Sequence, residues 1–123
     1  MHKKNLTIVL VVDNDPSILS LVKEQLSAYD YLPILASSGE EALGIASKQT
    51  SIDVLITDIK RPGINGIDLV KQISTLYPEI KVLFMSVFTL PSTLYSLSGK
   101  KMVFLQKPFL ADTLIAKMKF VLS

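Results

Sequence analysis

The strongest constraint in this sequence is an alternation of two hydrophobic periods. Five short apolar runs, Leu6 to Val12, Leu32 to Ala36, Asp53 to Thr57, Lys81 to Met85 and Met102 to Leu105, are separated by segments with apolar residues three or four apart. Short runs rich in Val, Ile and Leu suit strands buried on both faces; the longer period suits helices that cover them. Ile18, Val22, Leu26 and Tyr29 mark a first helical face, Ala42, Ile45 and Ala46 a second, and Ile67, Val70, Ile73 and Leu76 a third. A weak fourth helix carries Leu94 and Leu97 between Pro91 and Gly99, and Leu110, Leu114, Met118 and Val121 form the last. The punctuation agrees with the periods. Asp15-Pro16 has the cap and first-turn proline of a helix start, Ser38-Gly39-Glu40-Glu41 has capping-box spacing, and Pro78 stops the third helix. Pro33 cannot donate to a ladder and marks its strand as an edge. Strands joined through crossover helices give an α/β fold, a doubly wound parallel sheet with helices on both faces; the pattern leaves the strand order open.

At 123 residues the chain is one domain, 1–123, with a single core. It has no cysteine, which excludes a disulfide framework and thiolate metal sites, and its one histidine, His2, lies at the terminus, which argues against zinc. The net charge is +2 and the basic residues are scattered, so no nucleic-acid footprint is expected. The longest apolar stretch, Ile8 to Val12, is too short to cross a membrane, and Met1-His2-Lys3-Lys4-Asn5 leads into no signal-peptide core. These features predict a soluble, cytoplasmic protein without a membrane partner.

The chemistry-bearing residues fall at the carboxyl ends of the runs, the rim where open parallel sheets house ligands. The first run gives Asp13, Asn14 and Asp15, the third Asp58, the fourth Ser86 and the fifth Lys107. Singly, Asp15 is a helix cap, Ser86 a turn residue and Lys107 a solvated charge. Together they form a constellation. Asp13 and Asp58, if close, repel unless a cation joins them. Carboxylates, an amide and a backbone carbonyl suit Mg²⁺, which keeps several waters. Such a cation would screen an incoming phosphoryl group and leave Asp58 to attack phosphorus, while Lys107 and the Ser86 hydroxyl bind the phosphoryl oxygens.

On these motifs the chain resembles a response-regulator receiver domain of two-component signalling. The resemblance runs through Val11-Val12-Asp13-Asn14-Asp15-Pro16, Ala36-Ser37-Ser38-Gly39-Glu40-Glu41-Ala42-Leu43, Asp58 with Pro62-Gly63-Ile64-Asn65-Gly66, Ser86, and Gln106-Lys107-Pro108-Phe109. The flanking runs of Ser86 and Lys107 look most like receivers attached to hybrid histidine kinases. The resemblance implies a flavodoxin-like sheet of order 2-1-3-4-5. It also implies a phosphoryl group passed from a histidine kinase or histidine phosphotransfer domain to Asp58. Ser86 matches the family's hydroxyl position, Lys107 its phosphate-pairing lysine in a cis Lys107-Pro108 bond, and Phe104 its switch aromatic. The backbone carbonyl of Lys60 matches a metal ligand. The output surface it implies is the fourth helix, fifth strand and fifth helix, where Leu94, Tyr95 and Leu97 supply apolar contacts. In that family the domain is a switch that promotes only its own phosphorylation and dephosphorylation.

Two positions depart from the pattern. Asn14 stands where the family has the second of two adjacent acids, so Mg²⁺ affinity is expected to fall. Lys60 and Arg61 add positive charge beside the weakened cluster; Lys60 either overhangs the site and slows water, or points to solvent. Two other readings stay open: a receiver used only for docking, and a haloacid-dehalogenase-type phosphatase with Asp13 as nucleophile. The chain is expected to be either a stand-alone regulator without an effector domain after Ser123 or a receiver cut from a larger protein.

Overall fold

The computed structural model describes residues 6–59, 63–87 and 102–123. Its elements are β1 (Thr7–Val12), α1 (Pro16–Ser27), β2 (Tyr31–Ala36), α2 (Gly39–Lys48), β3 (Val54–Asp58), α3 (Gly66–Leu76), β4 (Lys81–Ser86), β5 (Met102–Gln106) and α4 (Ala111–Leu122). The five strands are parallel, in the order β2-β1-β3-β4-β5. The weak helix expected around Leu94 and Leu97 lies outside the described residues.

Strand side chains alternate between faces, and the core divides accordingly. Val9, Val11, Val54, Ile56, Leu83, Met85, Val103 and Leu105 pack under Leu19, Val22 and Leu26 of α1 and Leu114, Ile115, Met118 and Val121 of α4. Leu10, Val12, Leu55, Val82 and Phe84 pack under Ala42 and Ala46 of α2 and Leu69, Val70 and Ile73 of α3. Both faces are thus apolar, as the unbroken runs required. Pro33 sits in β2, at the outer edge.

Three expected core residues are exposed instead: Tyr29, Leu76 and Leu110. Each falls at or beyond a helix end. Tyr29 follows the Ala28 cap of α1, Leu76 is the last residue of α3, and Leu110 is the extended N-cap of α4. Leu19, Leu69 and Ile115 fill the buried faces. The third strand also starts one residue late, at Val54, and includes Asp58. Asp53 serves as a tie before it: its N–H donates to the Ile8 carbonyl (2.9 Å) and its carboxylate accepts from the Ile8 N–H (2.8 Å).

Two caps at the rim form as the sequence implies: Asp15 accepts from the Ser17 N–H (2.9 Å) and hydroxyl (2.7 Å), and Ser38 from the Glu41 N–H (3.0 Å). A third, not singled out in the sequence, is Asn65, which accepts from the Asp68 N–H (2.9 Å). Glu41 closes its capping box differently, reaching back to the Ser37 N–H rather than to that of Ser38. The Ser17 hydroxyl, then its N–H, hold the Asp15 carboxyl below its ordinary pKa. A carboxylate depressed in the folded state stabilises above its unfolded pKa, and that contribution is lost as pH falls through the folded value. The protection factors of the first-turn amides of α1, taken against the intrinsic exchange rate at each pH, are therefore expected to fall in acid in the parent and to show no such step in Asp15→Asn.

Gly66 opens α3 directly against β3. A Cβ there would collide with the Asp58 carbonyl oxygen and the Ile59 Cα, both backbone atoms that cannot swing aside. Gly66→Ala is expected to cost about 1–3 kcal/mol, lowering the thermal midpoint by roughly 5 °C or more.

Candidate functional site: a carboxylate rim closed by a lysine

Register determines which residues meet at the rim. Val12 and Thr57 are partners in the β1–β3 ladder, so the next residues, Asp13 and Asp58, end adjacent strands. Both are buried, at 1% and 6% exposure. Two such carboxylates can stay ionised side by side only if cations or hydrogen-bond donors surround them.

Lys107 is the described cation on Asp13. Its N–H donates to the Ser86 carbonyl (2.7 Å), carrying the β4–β5 ladder one residue past Gln106. The Lys107-Pro108 bond that follows is cis. From there the side chain, 16% exposed, reaches under the rim and its ammonium donates to Asp13 Oδ2 at 2.6 Å. Asp13 Oδ1 accepts from the Asp15 N–H at 2.9 Å. Both oxygens of Asp13 are therefore engaged.

Asp58 is the last residue of β3, one residue beyond the expected run, and is buried there. Its carbonyl oxygen accepts from the Thr57 hydroxyl (2.9 Å), and the Ile59 carbonyl accepts from the Gly66 N–H (2.8 Å). The start of α3 is thereby tied to the residue that follows Asp58. Within the β3–α3 connection Gly63 has φ +79°, a left-handed conformation suited to glycine, with the Glu40 carboxylate packed against it.

Ser86 ends β4, half-buried. Two residues back on the same face, Phe84 stacks on Phe104 of β5, with ring centroids 5.7 Å apart and planes 17° from parallel. That offset stack belongs to the α2–α3 side of the core. Asn14 is exposed in the β1–α1 loop, and Asp15 is committed to its cap. Lys60, Arg61, Leu94, Tyr95 and Leu97 lie outside the described residues.

Among the described residues, no three His, Cys, Asp or Glu side chains converge. A divalent cation here would rest on Asp13, Asp58, neutral oxygens and water. Such a hard-oxygen set fits Mg²⁺, which retains several waters, and does not fit a softer metal. Asp13, Asp58, Ser86 and Lys107 thus share one rim, as expected. Neither the Glu40 contact nor Asp13 as partner of Lys107 is signalled by the sequence pattern, which pairs Lys107 with phosphoryl oxygens. The stack was readable only as an aromatic residue two places before Ser86.

The model of the response regulator receiver domain matches residues 9–119. The transcriptional regulator NtrC of Salmonella typhimurium is 31% identical over 117 residues, 94% of this chain and 25% of that protein. The chain spans between about a fifth and a half of the length of the curated relatives it matches. Among solved structures, the Vibrio cholerae chemotaxis protein CheY4 superposes with a TM-score of 0.86 at 30% identity, covering 95% of this chain and 99% of that one. The receiver domain of the hybrid histidine kinase CckA gives 0.79 at 32% identity, covering 94% and 99%. Thermotoga maritima TrrA, solved with Mg²⁺ and BeF, gives 0.81 at 31%, also covering 94% and 99%. The sheet order, the rim and these likenesses agree: the chain belongs to the response regulator receiver domain family of two-component signalling.

Proposed function

We propose that the chain works as a phospho-accepting switch, with Asp58 as the acceptor and a histidine kinase or histidine phosphotransfer domain as the donor. A carboxylate oxygen of Asp58 attacks phosphorus, the nitrogen–phosphorus bond of the donor phosphohistidine breaks, and an acyl phosphate forms on Asp58. The observation that carries this reading is the Asp13–Lys107 pair at 2.6 Å on the strand end next to Asp58. It holds a primary ammonium at the rim, where phosphoryl charge would develop. Lys107 then pairs with phosphoryl oxygens and the Ser86 hydroxyl donates to another. Asp13, Asp58, Asn14 and the Lys60 carbonyl would hold Mg²⁺, which would supply charge screening there. Phosphorylation biases Phe104, through Ser86, toward a second arrangement read by an effector. The whole of 1–123 acts as one receiver, in the cytoplasm, catalysing only its own phosphoryl gain and loss. No described helix is long and apolar enough to cross a membrane.

The phosphatase reading, with Asp13 as nucleophile, is set aside. Both Asp13 oxygens are occupied by donors, and the family match favours the receiver.

Treatment with a small phosphodonor and Mg²⁺ is expected to add one phosphoryl group by intact mass. Asp58→Asn should lose it, whereas retention in Asp58→Asn and loss in Asp13→Asn alone would point to the phosphatase. Asn14 brings no charge to the cluster, so Asn14→Asp is expected to tighten Mg²⁺ binding by roughly tenfold, because affinity follows ligand charge count. Direct Mg²⁺ titration by calorimetry checks this, and unchanged affinity would remove residue 14 from the metal site.

A further inference from the structure

The start of α3 brings two local demands into one dipeptide. Position 65 must cap the helix, and its side-chain oxygen accepts from the Asp68 N–H at 2.9 Å. Position 66 must be glycine, because any Cβ would strike the Asp58 carbonyl oxygen. The cap chosen here is asparagine, so the chain carries Asn65-Gly66, the pairing in which a backbone nitrogen meets least obstruction on its way to the preceding side-chain amide. Asn65 is exposed to water while Gly66 is buried.

We propose that Asn65 is a spontaneous deamidation site, and that its isoaspartyl product disables the loop holding the phosphoacceptor. The Gly66 nitrogen attacks Asn65 Cγ, a carbon–nitrogen bond forms, and the side-chain nitrogen leaves as ammonia with the Gly66 amide proton. Water then opens the resulting succinimide at either of two bonds. Breaking the new Cγ–N bond gives aspartate at 65, which caps α3 as well as asparagine does. Breaking the original backbone bond gives isoaspartate, whose main chain runs through Cβ and is one atom longer. That extra atom enters between the cap and Gly66, where the Gly66 N–H bonds to the Ile59 carbonyl at 2.8 Å and its Cα packs against Asp58. The two products thus differ in consequence: one keeps the loop and the other displaces it.

The fold also slows the reaction. In the native state the Gly66 N–H and the Asn65 Oδ1 are both held in hydrogen bonds, and both must break for attack. Local opening of α3's first turn is the gate, so conversion in the folded protein is expected to be about tenfold or more slower than in the unfolded chain.

The loss of function rests on Asp58 as acceptor; the chemistry at 65 does not. The whole chain is incubated at mildly alkaline pH, folded and in denaturant, beside Asn65→Ser, which keeps a cap without the amide, and Asn65→Asp. Peptide mass mapping and isoaspartyl methyltransferase labelling locate and type the product. Asn65 is expected to convert fastest in the unfolded chain, ahead of Asn5 and Asn14, and measurably in the folded protein. The isoaspartyl fraction should lose phosphodonor labelling and melt lower, while aged Asn65→Ser and fresh Asn65→Asp behave like unaged parent. Folded Asn65 unchanged after on the order of a hundred unfolded-state half-lives overturns the proposal, as does an isoaspartyl fraction that melts like the parent. If the unaged parent takes no label, the phospho-accepting reading fails and the melting comparison alone decides this one.

Discussion

Everything at the rim depends on two carboxylates buried at the ends of adjacent strands. A buried carboxylate loses its hydration and needs hydrogen-bond donors in place of it. Asp13 has an ammonium at 2.6 Å and a backbone donor at 2.9 Å. The lysine arrives because β5 pairs with β4 to its last residue and continues one step further. The sheet is therefore part of the electrostatics: shifting β5 by one register position would take the ammonium off Asp13 and leave its charge uncompensated.

The same sheet separates duties between its faces. Residues of odd number in β1 and β5 pack toward α1 and α4, and even ones toward α2 and α3. Lys107 continues the first series and Phe104 belongs to the second. The charged half of the rim and the aromatic stack thus lie on opposite sides of one strand, and β5 carries both. Any displacement of that strand acts on the two together, which is a physical route from a charge change at Asp58 to a packing change at Phe84 and Phe104.

Most of this was legible in the sequence because the signals were redundant. β1 and β3 are short and β-branched, with an acid following the one and ending the other, and α1 and α2 each announce themselves with a side-chain cap. Errors came where one signal stood alone. Tyr29, Leu76 and Leu110 fit a helical period, yet periodicity carries no information about where a helix stops, and all three sit at or past an end. The rim was legible as a set of residue types but not as pairings. That Lys107 rests on Asp13 depends on how far β5 extends, which no local pattern encodes. The Glu40–Gly63 contact needs α2 and the β3–α3 loop to be placed together, a tertiary fact with no sequence trace.

Pro33 carries a consequence for the molecule among its own kind. β2 is one of the two outer strands, and an open margin of peptide groups is a template on which a second copy could zip. A residue without an N–H, set in the middle of that margin, interrupts the ladder such a copy would need. At that margin, crowded copies of this chain are thereby steered away from edge-to-edge sheet growth.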